Sequence, residues 1–110
     1  MSAGLEVDVE EAREWLGSGE PPRLIDCREV DEWEICRLEN AELLPLSEFA
    51  ERYRGVLGDM AEPALIYCHH GVRSLHAAQW LAAQGYGGVR SMAGGIDAWA
   101  RLIEPGMRRY

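Results

Sequence analysis

Residues 63–85 read PALIYCHHGVRSLHAAQWLAAQG. An apolar run of strand length, opened by Pro63, meets a short polar loop, and the loop leads directly into a helix-periodic segment that Gly85 ends. A buried strand feeding a helix through one tight loop suits a parallel sheet, in which each strand needs a crossover that packs back on the sheet. The rest of the chain repeats the alternation. Asp8 and Glu11 form a capping box ahead of a first helix, which Gly17 and Gly19 close. RLIDC (23–27) is a short apolar strand, and the acidic stretch 28–38 holds a helical turn. AELLPL (41–46) reads as a strand broken by Pro45, and Ser47 caps a second long helix. Residues 73–84 form a third, VRSM (89–92) a last short strand, and Gly94-Gly95 turn into a final helix that Pro105-Gly106 end. The expected fold class is therefore α/β with a mostly parallel sheet, in one domain spanning residues 1–110.

In such sheets ligands bind beyond the carboxyl ends of the strands. Cys27 and Cys68 both fall there. Gly71 permits positive φ after Cys68, and a helix follows, so loop amides can turn inward as a concave nest at a positive helix end. That cradle suits an anion, and it lowers the pKa of a cysteine placed in it. Arg73 adds a full positive charge, and residues 64–96 contain no acidic side chain. The chemistry expected is nucleophilic attack by Cys68 on an anionic substrate, with backbone amides holding the intermediate.

Charge supports this placement. The net charge is −8, yet residues 1–62 hold 17 of the 19 acidic side chains, and all 11 basic side chains are arginine. The half that contains Cys68 is mildly positive, which fits a small anion there. The overall acidity argues against nucleic acid. No apolar run reaches membrane-spanning length, and the N-terminal residues lack a signal-peptide pattern. Three cysteines do not make a disulfide framework, so a reducing, cytoplasmic setting is expected.

CHHGVRS (68–74) resembles the active-site loop of the rhodanese-like sulfurtransferases, in the pattern Cys-x-x-Gly-x-Arg-Ser/Thr. LIDCREVDEWE (24–34) is similar to the family segment carrying Asp26, Arg28, Glu29 and Trp33, although Cys27 replaces the usual Val. AELLPLSEF (41–49) and MAGGIDAWA (92–100) match in order, with Gly94, Gly95 and Trp99 in place. Cys36-Arg37-Leu38-Glu39-Asn40-Ala41 departs from the family's Gly-His-Ile-Pro-Gly-Ala, which puts only local geometry in doubt.

The resemblance implies a five-stranded, mostly parallel sheet with helices on both faces. It implies that Cys68 takes a sulfane sulfur from a small anionic donor such as thiosulfate and becomes a persulfide. A thiophilic acceptor then removes the sulfur: cyanide, a thiol or a sulfur-carrier protein. The loop His69, His70, Gly71, Val72, Arg73 and Ser74 would bind the substrate, with the amides of residues 69–73 as the cradle. Asp26 and Arg28 would support the loop from the next strand.

Three other readings stay open. A phosphatase or arsenate enzyme uses a similar cradle, but on a Cys-x5-Arg loop. Here the spacing is Cys-x4-Arg, a smaller cradle better matched to one sulfur atom. A non-catalytic docking module is the second. A metal site is the third; it is not expected, because adjacent His69 and His70 on a tight loop should diverge, and no further ligand lies at metal spacing. No cofactor is expected. Cys27 and Cys36 raise the question of a resolving thiol for Cys68; a parallel neighbour strand places Cys27 in range, if its side chain faces Cys68.

Overall fold

A computed structural model of the chain describes residues 2–110. The elements are β1 (Glu6–Val7), α1 (Val9–Leu16), β2 (Arg23–Asp26), α2 (Val30–Ile35), β3 (Glu42–Leu43), α3 (Phe49–Leu57), β4 (Ala64–Tyr67), α4 (Val72–Ala83), β5 (Val89–Met92) and α5 (Gly95–Leu102). A 3₁₀ turn, Leu46–Glu48, precedes α3.

The strands form one five-stranded sheet in the order β1-β5-β4-β2-β3. Every pairing is parallel. Parallel sheets need cover on both faces, and the sequence supplies it by alternation. On β4, Ala64 and Ile66, followed by Cys68, pack with residues of α3 and α4 such as Phe49, Tyr53, Ala78 and Leu81. Leu65 and Tyr67 point the other way, into a second core with Val9 and Ala12 of α1 and Ile96 and Trp99 of α5. All four β4 residues are buried, as a central parallel strand requires. Each large apolar side chain so buried contributes roughly 1.5–3 kcal/mol.

The Asp8–Glu11 capping box forms as expected: the Glu11 amide donates to Asp8 at 2.9 Å and the Asp8 amide to Glu11 at 3.3 Å. Three local readings change. The sequence gives no sign of β1, because two residues before a helix cap are too short a run to show alternation; it exists by pairing Glu6 with Ser91 and Val7 with Met92. The strand expected over 41–46 shrinks to Glu42–Leu43. Ser47 does not cap α3, whose cap is Glu48. Its hydroxyl instead donates to Glu29 at 2.7 Å, which ties the turn before α3 to the start of α2.

No helix among the described residues is long and apolar enough to cross a membrane.

Candidate active site

Cys68 sits one residue beyond β4 and is 1% exposed. Gly71, the residue before α4, has φ of 97°. A side chain there would press on the Gly94 amide and the Met92 carbonyl, so the turn needs glycine for space as well as for backbone angle. The turn aims its amides at sulfur. Gly71 N–H donates to Cys68 Sγ at 3.1 Å and Ser74 N–H at 3.4 Å, and the Ser74 hydroxyl lies 3.5 Å away. The amides of Val72 and Arg73 fall in the first turn of α4, where a helix provides no carbonyl for them. The resting sulfur thus draws on Gly71 and on Ser74, one residue past the cradle expected over 69–73.

The loop is fixed from a second side. Ile96 N–H donates to the Cys68 carbonyl at 2.9 Å and Asp97 N–H to the His69 carbonyl at 3.0 Å. These are first-turn amides of α5, brought close by Gly94 and Gly95. Ser91 of β5 lies beneath, with its hydroxyl 2.8 Å from that of Ser74. Ser91 is fully buried, and nothing in VRSM marked it as part of the site.

Cys27 follows β2 as Cys68 follows β4. The register pairs Asp26 with Tyr67, and Cys27 N–H continues the ladder to the Tyr67 carbonyl at 3.0 Å. Cys27 shares the core face of Ile25, Ile66 and Cys68, so its side chain faces Cys68. The Cys27 thiol is the leading influence that holds Cys68 down to about 4; the Ser74 hydroxyl and the amides of Ser74 and Gly71 add to it, against the upward push of burial. The neighbouring Cys68 sulfur and burial push the Cys27 thiol up, which keeps it protonated. Cys68 is therefore a thiolate at neutral pH, flanked by a neutral thiol.

Asp26 and Arg28 form a fully buried ion pair. Arg28 Nη2 meets Asp26 Oδ2 at 2.7 Å and Nε meets Oδ1 at 3.0 Å. The Arg28 amide also donates to Asp26 at 2.9 Å. Neither side chain reaches the Cys68 sulfur; the pair braces the end of β2 beside it. Arg28 further donates to the Cys36 carbonyl and, at 2.9 Å, to the Tyr110 hydroxyl.

Arg73 does not point freely into the cradle. Its guanidinium forms a two-point pair with Glu32 of α2, at 2.7 and 2.9 Å. Tyr110 donates to the same carboxylate at 2.8 Å and stacks on His69 with ring centroids 3.9 Å apart. Arg73, Glu32, Tyr110 and the buried Arg28 thus form one hydrogen-bonded chain. Glu32 and Tyr110 were not singled out from the sequence.

His69 and His70 do not diverge. Their rings lie 3.9 Å apart, and with Asp97 they bring one ligand atom each within 4.8 Å of one another. The expectation of divergence fails because the Gly71 turn folds both residues against the start of α5. Asp97 already pairs with Arg101 at 3.1 Å and Arg109 at 3.2 Å. Burial and the neighbouring His70 hold His69 below its ordinary pKa, which favours its neutral form. Val72, in the same loop, is largely exposed at 63%.

A family model described as the Rhodanese-like domain matches residues 8–102. The chain belongs to the rhodanese-like family. Its curated relatives include the probable adenylyltransferase/sulfurtransferase MoeZ of Mycobacterium tuberculosis, 34% identical over 97% of this chain. The chain spans only 27% of that protein's length. The thiosulfate sulfurtransferase GlpE of Vibrio cholerae is 31% identical, with 96% of each chain covered. Among solved structures, the human single domain sulfurtransferase TSTD1 superposes with a TM-score of 0.78 at 27% identity, covering 89% of this chain and 96% of that one. The rhodanese-like fold accounts for the all-parallel sheet and for a loop at its carboxyl edge.

Proposed function

We propose that this chain is a single rhodanese-like domain, residues 1–110, that acts as a sulfurtransferase with Cys68 as its nucleophile. The observation that carries this reading is the environment of one sulfur atom. Cys68 Sγ is buried, faces the Cys27 thiol, the amides of Gly71 and Ser74 and the Ser74 hydroxyl, and is held down to about 4.

The Cys68 thiolate attacks the outer, sulfane sulfur of thiosulfate. The S–S bond breaks, sulfite leaves with its electron pair, and Cys68 carries a persulfide. An acceptor thiolate, or cyanide, then attacks the terminal sulfur, and the Cys68 thiolate returns. The amides of the loop stabilise charge on the added sulfur. His69, His70, Gly71, Val72, Arg73 and Ser74 form the substrate-binding loop. Arg73 contributes positive potential at the mouth while Glu32 fixes its direction. Asp26 and Arg28 support the loop from β2 and take no part in bond making. No cofactor is needed for either step. The physiological acceptor is a small thiol or a sulfur-carrier protein, in a reducing cytoplasmic compartment.

Incubation with thiosulfate followed by mass analysis tests this reading. Cys68 should gain the mass of one sulfur atom, cyanide should remove it as thiocyanate, and Cys68→Ser should abolish both. A chain that gains no sulfur, or gains it elsewhere, would overturn the assignment.

A further inference from the structure

Cys27 is more than a packing residue. It is 0% exposed. Its side chain faces Cys68 from the matching position on the adjacent parallel strand. Neighbouring strands lie about 4.8 Å apart, which is inside the Cα separation that a disulfide spans, about 4.4–6.8 Å. Both residues lie just beyond their strands, at matching places on the carboxyl edge of the sheet. The third cysteine, Cys36, has its sulfur 4.0 Å from Arg28 Nη1, so it is engaged elsewhere.

We propose that Cys27 is a resolving thiol for the Cys68 persulfide, giving the site a second outlet that releases hydrosulfide. This inference rests on the sulfur-carrying role of Cys68 given above. Cys27 Sγ attacks the inner sulfur, Cys68 Sγ. The bond between Cys68 Sγ and the terminal sulfur breaks, and that sulfur leaves with the bond's electrons. The Cys27 proton goes with it, so the product is hydrosulfide. A Cys27–Cys68 disulfide remains. No outside oxidant is required, because the sulfane sulfur is itself reduced. Two equivalents of a low-molecular-weight thiol then reduce the disulfide and restore the resting pair.

The resting arrangement opposes premature reaction. While Cys68 is a thiolate beside it, Cys27 stays protonated. Persulfide formation moves the negative charge one atom outward and removes the main influence that keeps the Cys27 proton in place. The outlet opens only when sulfur is loaded and no acceptor has taken it. Where acceptor thiols are scarce, the disulfide stops further loading.

The test loads the full chain with thiosulfate, removes the excess, and follows intact mass, free sulfide and a non-reducing peptide map without acceptor. Wild-type chain should lose the added sulfur, finish two hydrogens lighter than the resting chain, release one hydrosulfide per chain and yield a Cys27–Cys68 linked peptide. Cys27→Ser retains a hydrogen-bond donor, and Cys27→Val fills the same volume without one. In both, the persulfide should last on the order of tenfold longer, and no linked peptide should form. Equal persulfide lifetimes in wild type and both variants, or sulfide release without the linked peptide, would overturn this inference alone. A wild-type chain that gains no sulfur, releases no sulfide and forms no linked peptide would overturn the sulfur-carrying reading, and the inference with it.

Discussion

The Arg73 guanidinium and the Glu32 carboxylate meet in two contacts, 2.7 and 2.9 Å long, that join the first turn of α4 to α2. A cation in the first turn of a helix faces the positive end of the helix dipole. Glu32 makes that position tolerable for Arg73, and in return its own carboxyl is held down to about 2, first by Arg73 and then by the Glu29 amide and the Tyr110 hydroxyl.

Glu32→Gln should therefore destabilise the fold by about 1 kcal/mol at neutral pH, as expected for a half-exposed ion pair. The folded-state pKa lies below the ordinary carboxylate value, so the stabilisation is complete above the ordinary range and disappears as pH falls towards 2. Urea unfolding of both chains at neutral pH and near pH 3 checks this. The stability gap should narrow at the lower pH; a constant gap would show that the effect is steric.

The Cys68 thiolate has its own signature. With its pKa down to about 4, its alkylation by neutral iodoacetamide should hold a constant rate from about pH 8 to about pH 5. The rate should then fall as the thiolate takes up a proton near pH 4. Ser91 supports this at one remove: its hydroxyl can donate to Ser74, which leaves the Ser74 proton for sulfur. Ser91→Ala should raise the alkylation midpoint by about half a unit, and Ser74→Ala by more. Midpoints unchanged in both variants would remove the hydroxyls from the account.

Asp26 and Arg28 bear on stability rather than on sulfur. Arg28→Met leaves the Asp26 charge buried and unpaired, which should cost about 3–5 kcal/mol in denaturant unfolding. The double variant Asp26→Leu with Arg28→Met should recover most of that loss, because no lone charge is left behind. A double variant as unstable as the single one would mean that the pair's shape matters more than its charge.

Cys68, Gly71, Arg73 and Ser74 were legible in the sequence because they lie on one continuous loop, where residue type and order carry the chemistry. Asp26 and Arg28 came to notice through the resemblance of residues 24–34 to the family segment, while their mutual ion pair is a fact of the folded chain. Glu32 reaches Arg73 across a separation of 41 residues, and Tyr110 reaches Glu32 across 78. Such contacts are made by topology, and no local pattern announces them. The direction of the Cys27 side chain waited on strand register, since a slip of one residue would turn it to the other core. The His69–His70 pair was misjudged for a related reason: the start of α5 packs both residues down, and α5 is distant in sequence.

Gly95 shows how strictly the site depends on that packing. Its φ is 61°, and a methyl group added there would collide with the Cys68 and His69 carbonyls. Those carbonyls accept the Ile96 and Asp97 amides, so the loop and α5 cannot separate without losing both bonds. Gly95→Ala should cost more than about 2 kcal/mol, from positive φ and steric displacement together. It should also slow sulfur loading more than stability loss alone explains, because the displaced loop no longer directs Gly71 and Ser74 at sulfur. Gly106→Ala is the control, since a side chain there meets open space. Thermal unfolding and the iodoacetamide midpoint of Cys68 measure the two effects separately. A Gly95→Ala chain that is less stable but keeps its midpoint near 4 would show that the cradle holds its shape without the Gly-Gly turn.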